Sequence, residues 1–275
     1  MKSLIIGSSG FLGSSLLKRF LSEGKEVHIM NRSKDPSFDG TQYDINCIHE
    51  TSNIFDNVFF LAAYIPSSSN LKQDMNVNIQ LSESVFHQFN ESKIIYSSSV
   101  SIYGEQPIQP IVETMFPNYP SHYGLSKLYG EALFSQLATY VNIRFSSLYG
   151  PGMKGTTFIK RIIEDALKTG TIHLYSPDRL QDYLYIDDAV DILVEASIGD
   201  ITGTFNGVNG LSWTNQEIVN IVSSLISNTK VIKYDGNDDP YWYSRSLLDQ
   251  NFPTLKRTLI RTGLSNTVKY FIHHI

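Results

Sequence analysis

The first half of the chain alternates short apolar runs with longer stretches in which apolar residues recur at helical spacing. Leu4-Ile5-Ile6 is continuously apolar, as expected of a strand that is buried on both faces. Apolar residues then recur at three- and four-residue intervals over 11–21, and Gly24 ends that predicted helix. Because this alternation continues to about residue 150, it predicts βαβ units and a parallel sheet.

The same pattern predicts further elements in both halves. Strands are predicted over 26–30, 57–62, 93–97 and 141–144, and helices over 77–86, 123–140 and 158–167. Thr214 and Glu217 have the spacing of a capping box ahead of another helix. Asp187 and Asp188 are predicted to cap the N-terminus of a helix over 189–196. We expect a dinucleotide-binding core over 1–150 and a substrate-binding lobe over 151–275, part of which returns to the core.

The composition is that of a folded globular protein and excludes several partners. Apolar residues make up 41% of the 275 residues, and the net charge of −5 provides no overall positive field for nucleic acid. No apolar run approaches the ~20 residues of a membrane span. The single cysteine, Cys47, fits a reducing compartment, and the seven histidines have no zinc-ligand spacing. We therefore expect a cytoplasmic protein without a metal, bound to neither nucleic acid nor membrane.

A glycine-rich turn lies between the first predicted strand and the first predicted helix. Glycines at this place allow a tight turn and let a pyrophosphate approach the backbone amides at the helix N-terminus. The spacing is G-x-x-G-x-x-G, which a plain glycine turn could also have, but the order of strand, glycines and helix favours dinucleotide binding. The residues expected at the cofactor are Gly7, Ser9, Gly10, Phe11, Leu12 and Gly13.

The end of the second predicted strand bears on the choice of cofactor. Asn31 and Arg32 stand where an acidic residue would hold the adenosine ribose, and an arginine there suits a 2′-phosphate. The sequence thus favours NADP, with NAD left open because Arg32 could also be a solvated surface residue. Asp44 and Ile45 are candidates to hold the adenine edge, although Asp44 could equally be a loop residue.

A serine run and a Tyr-x-x-x-Lys pair are the candidates for chemistry. Ser97-Ser98-Ser99 ends a predicted strand, and Tyr123 and Lys127 are four residues apart, so they share one face of a predicted helix. A tyrosine ordinarily has a pKa near ~10. A neighbouring ammonium and a cationic nicotinamide would lower the pKa of Tyr123, making it an acid/base near neutral pH.

Taken together, these motifs resemble the extended short-chain dehydrogenase/reductases, the NAD-dependent epimerase/dehydratase group. That family includes nucleotide-sugar epimerases, dehydratases and 4-keto reductases. The segments that carry the resemblance are IGSSGFLG (6–13), VFFLAAY (58–64), MNVN (75–78), YSSSVSIYGE (96–105), HYGLSK (122–127), IRFSSLYGPG (143–152), LQDYLYIDD (180–188) and FNGVNG (205–210).

The resemblance implies a Rossmann-like doubly wound parallel sheet with a smaller C-terminal substrate-binding lobe, and a homodimer. It also assigns roles to individual residues. The catalytic serine matches Ser99, the catalytic tyrosine and lysine match Tyr123 and Lys127, and the active-site asparagine matches Asn76. Cofactor contacts are implied at Leu61, Ala62 and Ala63, in addition to Tyr123 and Lys127.

The chain departs from the family at several substrate positions. Gln181 stands where the family often has a substrate-contacting arginine, so Arg179 and Arg245 are candidates to replace it, and Ser147 stands near a usual asparagine. With Ser98, Ser99 and Tyr123 they form the expected substrate site. Nucleotide-sugar dehydratases carry an acidic pair directly after the catalytic serine or threonine, where this chain has Val100 and Ser101, so the sequence disfavours dehydration.

The leading functional hypothesis is therefore NADPH-dependent reduction of a nucleotide-linked 4-keto-6-deoxy sugar, a step in surface-polysaccharide sugar biosynthesis. The first alternative is a nucleotide-sugar 4-epimerase that retains its NAD(P). The second is a regulatory protein that binds NADP without turnover, which is disfavoured because Tyr123 and Lys127 are both present.

Overall fold

A computed structural model of the chain describes residues 1–51, 54–64, 71–236 and 241–274, without the side chains of 71–74. The strands are β1 (Ser3–Ile6), β2 (Val27–Asn31), β3 (Gln42–Asp44), β4 (Asn57–Phe60), β5 (Lys93–Ser99), β6 (Tyr140–Phe145), β7 (Ser147–Tyr149), β8 (Thr171–Tyr175), β9 (Leu180–Tyr185), β10 (Gly203–Gly207), β11 (Ser212–Thr214) and β12 (Lys230–Tyr234). The α-helices are α1 (Phe11–Ser22), α2 (Leu71–Gln88), α3 (His122–Phe134), α4 (Phe158–Thr169), α5 (Ile186–Ala196), α6 (Asn215–Leu225), α7 (Ser246–Asn251) and α8 (Ile260–Ile272).

Seven parallel strands form the central sheet, in the order β10-β6-β5-β4-β1-β2-β3. The strand order reverses between β1 and β4, and ligands of such sheets bind in the crevice outside the carboxyl ends of the strands at this point. The α/β class and the Rossmann-like doubly wound sheet that the sequence predicted are thus confirmed.

Both faces of the sheet are buried, which explains the continuous apolar character of its strands. Ile5 and Phe59 point to the face covered by α1 and α5, whereas Leu4, Ile6 and Phe60 point to the face covered by α2 and α3. The alternation follows from the two-residue period of a strand. The sheet is therefore a rigid support for the loops at its carboxyl edge.

The later chain contributes both to this sheet and to a second group of elements. Strand β10 pairs with β6, and α5 packs against α1, so residues beyond 150 return to the core. The remaining strands form a three-stranded sheet, β11-β9-β7, and a two-stranded sheet, β12-β8, packed with α4, α6 and α8. No helix in the described part of the chain is long and apolar enough to cross a membrane.

Three local predictions can be compared with the structure. The capping box is confirmed, because the Thr214 side chain accepts from the Glu217 amide and the Glu217 side chain accepts from the Thr214 amide. The helix predicted over 123–140 ends earlier, at Phe134. The prediction that Asp187 or Asp188 caps α5 is wrong. Both lie in its first turn, and the Asp188 carboxylate instead accepts from the Thr258 amide, 2.8 Å away, and from its hydroxyl, 2.6 Å away.

Candidate active site

The glycine-rich turn has the geometry that a pyrophosphate requires. Gly7 has φ +92°, a conformation that favours glycine, and a Cβ there would lie 2.7 Å from the Ala62 amide nitrogen. A Cβ at Gly13 would overlap the Gly7 carbonyl oxygen. Gly10, the N-cap of α1, provides no side-chain hydrogen bond to the first-turn amides, so these remain available to an anion. The turn therefore fits a dinucleotide.

A cavity of about 530 Å³ opens beside this turn, over the carboxyl ends of β1 and β4. Its lining includes many residues that the sequence predicted at the cofactor: Gly7, Ser9, Gly10, Asn31, Arg32, Ile45, Leu61, Ala62 and Ala63. Phe11, Leu12, Gly13 and Asp44 are not in this lining. Leu12 and Gly13 are buried beneath the turn, and the Asp44 carboxylate accepts from the Asn46 amide, so the structure places Asn46 rather than Asp44 at the cavity.

Asn31 lies beneath the glycine-rich turn and holds it in place. Its side chain is buried; Oδ1 accepts from the Ser9 amide at 3.3 Å, and Nδ2 donates to the Ser8 hydroxyl at 2.7 Å. An aspartate could accept here but could not donate. Asn31 therefore fixes the shape of the turn, while the neighbouring Arg32 is left exposed at the cavity mouth.

A second cavity, of about 640 Å³, adjoins the first and shares Ser9 and Arg32 with it. It is lined by Lys18, Arg32, Lys34 and Lys154 and by several serines. Asp35 is the one acidic residue in this lining as described, and its carboxylate accepts from the Ser37 amide and hydroxyl. The region that adjoins the cofactor cavity at Ser9 and Arg32 is therefore strongly positive.

The predicted catalytic residues lie on two neighbouring elements. Ser99 is the last residue of β5, and its Oγ accepts from the Ser101 hydroxyl at 2.9 Å. Tyr123 lies in the first turn of α3, where the Ser121 side chain caps the helix by accepting from the Gly124 amide. One turn later, the Lys127 ammonium donates to the Ser97 carbonyl oxygen at 2.6 Å and lies 5.7 Å from the centre of the Tyr123 ring.

Burial dominates the acid/base properties of this pair. Burial raises the pKa of Tyr123 to about 12. The lowering that the sequence predicted involves a bound cationic nicotinamide as well as the Lys127 ammonium, so it stays a prediction for the site with its cofactor bound. Burial also lowers the pKa of Lys127 to about 7, partly opposed by the nearby Glu131 carboxylate. Within the protein alone, Tyr123 is a protonated phenol, which suits a proton donor.

Asn76 does not reach the site. It is exposed on α2, whereas Asn78, two residues later in the same motif, is buried and lines the cofactor cavity. Asn78 accepts from the Tyr64 amide at 2.7 Å and donates to the Tyr64 carbonyl and the Ser126 hydroxyl. Through these hydrogen bonds Asn78 connects α2 to the segment that follows β4 and to α3.

The substrate cavity, of about 490 Å³, begins at Ser99 and extends between the core and the later part of the chain. Of the predicted substrate residues, it brings together Ser99, Ser147, Arg179 and Gln181. Tyr119, Asp182, Tyr241 and Tyr243 also line it and were not predicted there. Arg179 directly precedes β9 and Gln181 lies near its start, and both side chains line the cavity. Among the described residues of this lining, Arg179 is the one cation.

Two residues that the sequence predicted at the substrate are instead buried in the interior of the protein. Ser98 is buried and donates to the Glu131 carboxylate at 2.5 Å. Arg245 is also buried; it donates to Asp249 at 2.7 Å and to the Val208 carbonyl at 2.5 Å. The predictions that Ser98 and Arg245 contact substrate are therefore not supported by their positions, because both side chains are buried and hydrogen-bonded to other groups of the protein. This leaves Arg179 as the candidate to replace the missing arginine.

The family model of the NAD dependent epimerase/dehydratase family matches residues 3–198, which include the glycine-rich turn, the lining of the cofactor cavity and the Ser99, Tyr123 and Lys127 positions. The chain belongs to this family. Its members with known activities include relatives that align over most of the chain. One is a UDP-glucose 4-epimerase of Lacticaseibacillus casei, 27% identical over 80% of this chain and 80% of that protein.

Two further comparisons cover the chain broadly. The GDP-6-deoxy-D-talose 4-dehydrogenase of Aggregatibacter actinomycetemcomitans is 23% identical over 85% of this chain and 83% of that protein. Among solved structures, the Thermus thermophilus UDP-glucose 4-epimerase in complex with NAD has a TM-score of 0.86 and 21% identity, with all of both chains covered. This likeness shows that the chain and the Thermus thermophilus protein have the same fold.

Proposed function

We propose that the protein reduces a nucleotide-linked 4-keto-6-deoxy sugar with NADPH. The observation that carries the proposal is the positive cavity beside the cofactor cavity, because the two share Ser9 and Arg32. Arg32, Lys34 and Lys154 line this cavity, and they are the residues that would hold a 2′-phosphate on the adenosine ribose. A 2′-phosphate would offset the mutual repulsion of these cations, whereas the hydroxyl of NAD would not. NAD remains the alternative cofactor.

The chain's own residues fit a ketone reduction. When bound, NADPH supplies the hydride that reduces the C4 carbonyl carbon. Tyr123, a protonated phenol in its buried position, donates its proton to the carbonyl oxygen as negative charge develops there. Ser99, which faces the substrate cavity, hydrogen-bonds the same oxygen. Lys127 lies beside Tyr123 and stabilises the phenolate that remains after transfer.

The substrate cavity fits a nucleotide-linked sugar. Arg179 supplies a positive charge for a diphosphate, with Gln181 in the lining of the same cavity. No acidic residue follows Ser99 directly, since Val100 and Ser101 stand there, so the groups that a dehydratase uses to remove water are missing at these positions. The talose 4-dehydrogenase relative acts, by its name, at C4 of a 6-deoxy sugar nucleotide, and this supports the same substrate class.

A 4-epimerase is the second candidate, supported by the UDP-glucose 4-epimerase relatives. Both reactions would use Ser99, Tyr123 and Lys127, and they differ in net redox change. The amount of NADPH consumed for each product molecule distinguishes the two reactions. The purified protein is given a nucleotide-linked 4-keto-6-deoxy sugar and NADPH, and nicotinamide absorbance is followed with product analysis. One NADPH consumed for each 4-hydroxy product supports the reductase; conversion of a saturated nucleotide sugar to its C4 epimer without added cofactor overturns it.

We also propose a homodimer in the cytoplasm. Leu125 is an exposed apolar side chain on α3, which packs side by side with α2. A second copy of this chain would cover it. Light scattering coupled to gel filtration tests the proposal: a mass of twice 31.1 kDa supports it, and a Leu125→Glu variant should then elute as a monomer.

A further inference from the structure

A buried ion pair lies one helical turn beyond Lys127. Glu131 of α3 and Arg144 of β6 are 5% and 8% exposed, and Arg144 donates to Glu131 through Nη2 at 2.7 Å and through Nε at 3.0 Å. Taking two charges out of water costs free energy that their mutual attraction often does not recover. Such a pair therefore calls for an explanation other than stability, and the proposed reaction as described above gives it no role.

Glu131 also connects the two elements that carry the catalytic residues. Its Oε1 accepts from the Ser98 hydroxyl at 2.5 Å. Ser98 lies between Ser97, whose carbonyl accepts from Lys127, and Ser99. One carboxylate on α3 therefore holds the end of β5 on which both the position of Lys127 and that of Ser99 depend.

The orientation of Glu131 is fixed from the opposite side. Arg144 Nη1 donates to the Tyr103 hydroxyl and to the Glu113 carbonyl oxygen, each at 2.9 Å. The Tyr103 hydroxyl in turn donates to Asn206 Oδ1 at 2.6 Å, and Asn206 belongs to β10. These hydrogen bonds fix the orientation of the Arg144 guanidinium. The guanidinium in turn keeps the Glu131 carboxylate directed toward Ser98 and Lys127.

We propose that Glu131 is a positioning residue for the Tyr123–Lys127 pair: its carboxylate fixes the end of β5 and places near Lys127 a negative charge that favours the ammonium form. The inference rests on the acid/base roles of Tyr123 and Lys127 in the proposed function. An ammonium in a buried site needs a compensating charge, and the phenolate of Tyr123 supplies one only after proton transfer.

Among the side chains that the structure describes, a small set of charged and titratable groups faces Lys127 from the elements around it. They are Tyr96 on β5, Tyr123 and Glu131 on α3, and Arg144 on β6, behind Glu131; on α2, Glu83 is bonded to Tyr129 at the surface. Burial lowers the pKa of Lys127 to about 7, and Glu131 acts in the opposite direction. Loss of the Glu131 charge should therefore lower that pKa further, and loss of the Arg144 charge should raise it.

The test is a direct titration of Lys127 that needs neither substrate nor cofactor. Lysines labelled with ¹³C at Cε are followed by NMR against pH, and the Lys127 resonance is assigned by its loss in Lys127→Arg. An ordinary lysine titrates near ~10.4, so the Lys127 midpoint near neutral pH stands apart. We expect Glu131→Gln to lower the midpoint by about one pH unit, a tenfold change in acid dissociation, and Glu131→Asp to restore most of it.

Two more variants complete the design. Glu83→Gln removes a carboxylate that also contacts α3 but lies at the surface, and it should move the midpoint by less than ~0.2 units because water screens it. Arg144→Gln should raise the midpoint, which keeps the proposal testable if Glu131→Gln does not fold. An unchanged midpoint in a folded Glu131→Gln or Arg144→Gln protein would overturn the proposal. If the predicted shifts occur in a protein that turns over no ketone, the proposed function fails while the role of Glu131 in holding the Lys127 proton stands.

Discussion

The Lys154 ammonium donates to the Ser9 carbonyl oxygen at 2.6 Å, and so links the loop that follows β7 to the glycine-rich turn 145 residues earlier in the chain. Both residues line the positive cavity. Residues of the later half of the chain thus line the positive cavity as well as the substrate cavity.

Replacing Tyr123 by Phe should abolish turnover and leave cofactor affinity nearly unchanged. The hydroxyl is needed only when the carbonyl oxygen takes its proton, so the loss should fall on kcat, by about 10²–10⁴-fold. Tyr129→Phe is the matched control, because Tyr129 lies on the same helix but donates to Glu83 at the surface. A Tyr123→Phe protein within about threefold of wild type in kcat would show that another group donates the proton.

Replacing Arg32 by Ala should weaken NADPH binding about tenfold or more and leave NADH binding almost unchanged. The reason is the 2′-phosphate, since a hydrogen bond to a charged group contributes roughly 1.5–3 kcal/mol. Fluorescence titration with both dinucleotides measures the difference, and Arg261→Ala on α8 serves as the control. Equal affinity of the wild type for NADH and NADPH would remove the basis of the NADP assignment.

Replacing Gly13 by Ala should eliminate dinucleotide binding, because the new Cβ would overlap the Gly7 carbonyl oxygen and open the turn. Gly24→Ala provides the comparison. Gly24 has φ +65° and open space around it, so alanine there costs about 1 kcal/mol of strain without touching the turn. Thermal unfolding with and without NADPH separates the two effects: only Gly24→Ala should retain stabilisation by the cofactor.

Much of the core and part of the site could be predicted because their determinants are local. The glycines lie between one strand and one helix, and Tyr123 and Lys127 lie one turn apart on α3, so sequence spacing alone places them. Asn78, Glu131 and Lys154 could not be found in this way, since their partners are 14 to 145 residues away in sequence. Spacing also cannot tell whether a polar side chain points to a cavity or into the core.

Ser98 and Arg245 illustrate that last difficulty. Each follows a pattern that suits a substrate contact, and each is instead hydrogen-bonded to a buried group, the Glu131 carboxylate for Ser98 and the Val208 carbonyl oxygen for Arg245. The pKa of Tyr123 gives a related example. The neighbouring Lys127 is evident from the spacing, whereas the burial that raises this pKa depends on how α3 packs against β5.

The pKa of Lys127 makes a prediction about stability against pH. A lysine that titrates near ~10.4 when unfolded and at about 7 when folded binds more protons in the unfolded chain between those values. Its contribution to the free energy of unfolding is therefore full above the unfolded pKa and is lost as pH falls toward 7. Urea unfolding at pH 7.5 and 9.5 should show wild type gaining stability relative to Lys127→Met, by about 1–3 kcal/mol. A constant difference between the two proteins would contradict the buried, weakly protonated state.

Replacing Arg179 by Ala should weaken the binding of nucleotide diphosphates and leave NADPH affinity unchanged. Arg179 is the described cation of the substrate cavity, and loss of a charge-assisted contact to a diphosphate should cost roughly tenfold in Kd. The thermal shift produced by UDP, GDP and dTDP, with NADPH present, measures the effect without knowledge of the sugar. The decisive variant carries Arg179→Gln and Gln181→Arg together, which moves the cation two residues along the chain, within the lining of the same cavity, to the position more usual in the family. If a positive charge in this lining is what binds the diphosphate, the double variant should recover most of the shift that Arg179→Ala loses. If the single variant retains the full shift, the diphosphate lies elsewhere and the substrate cavity has been assigned to the wrong end of the nucleotide sugar.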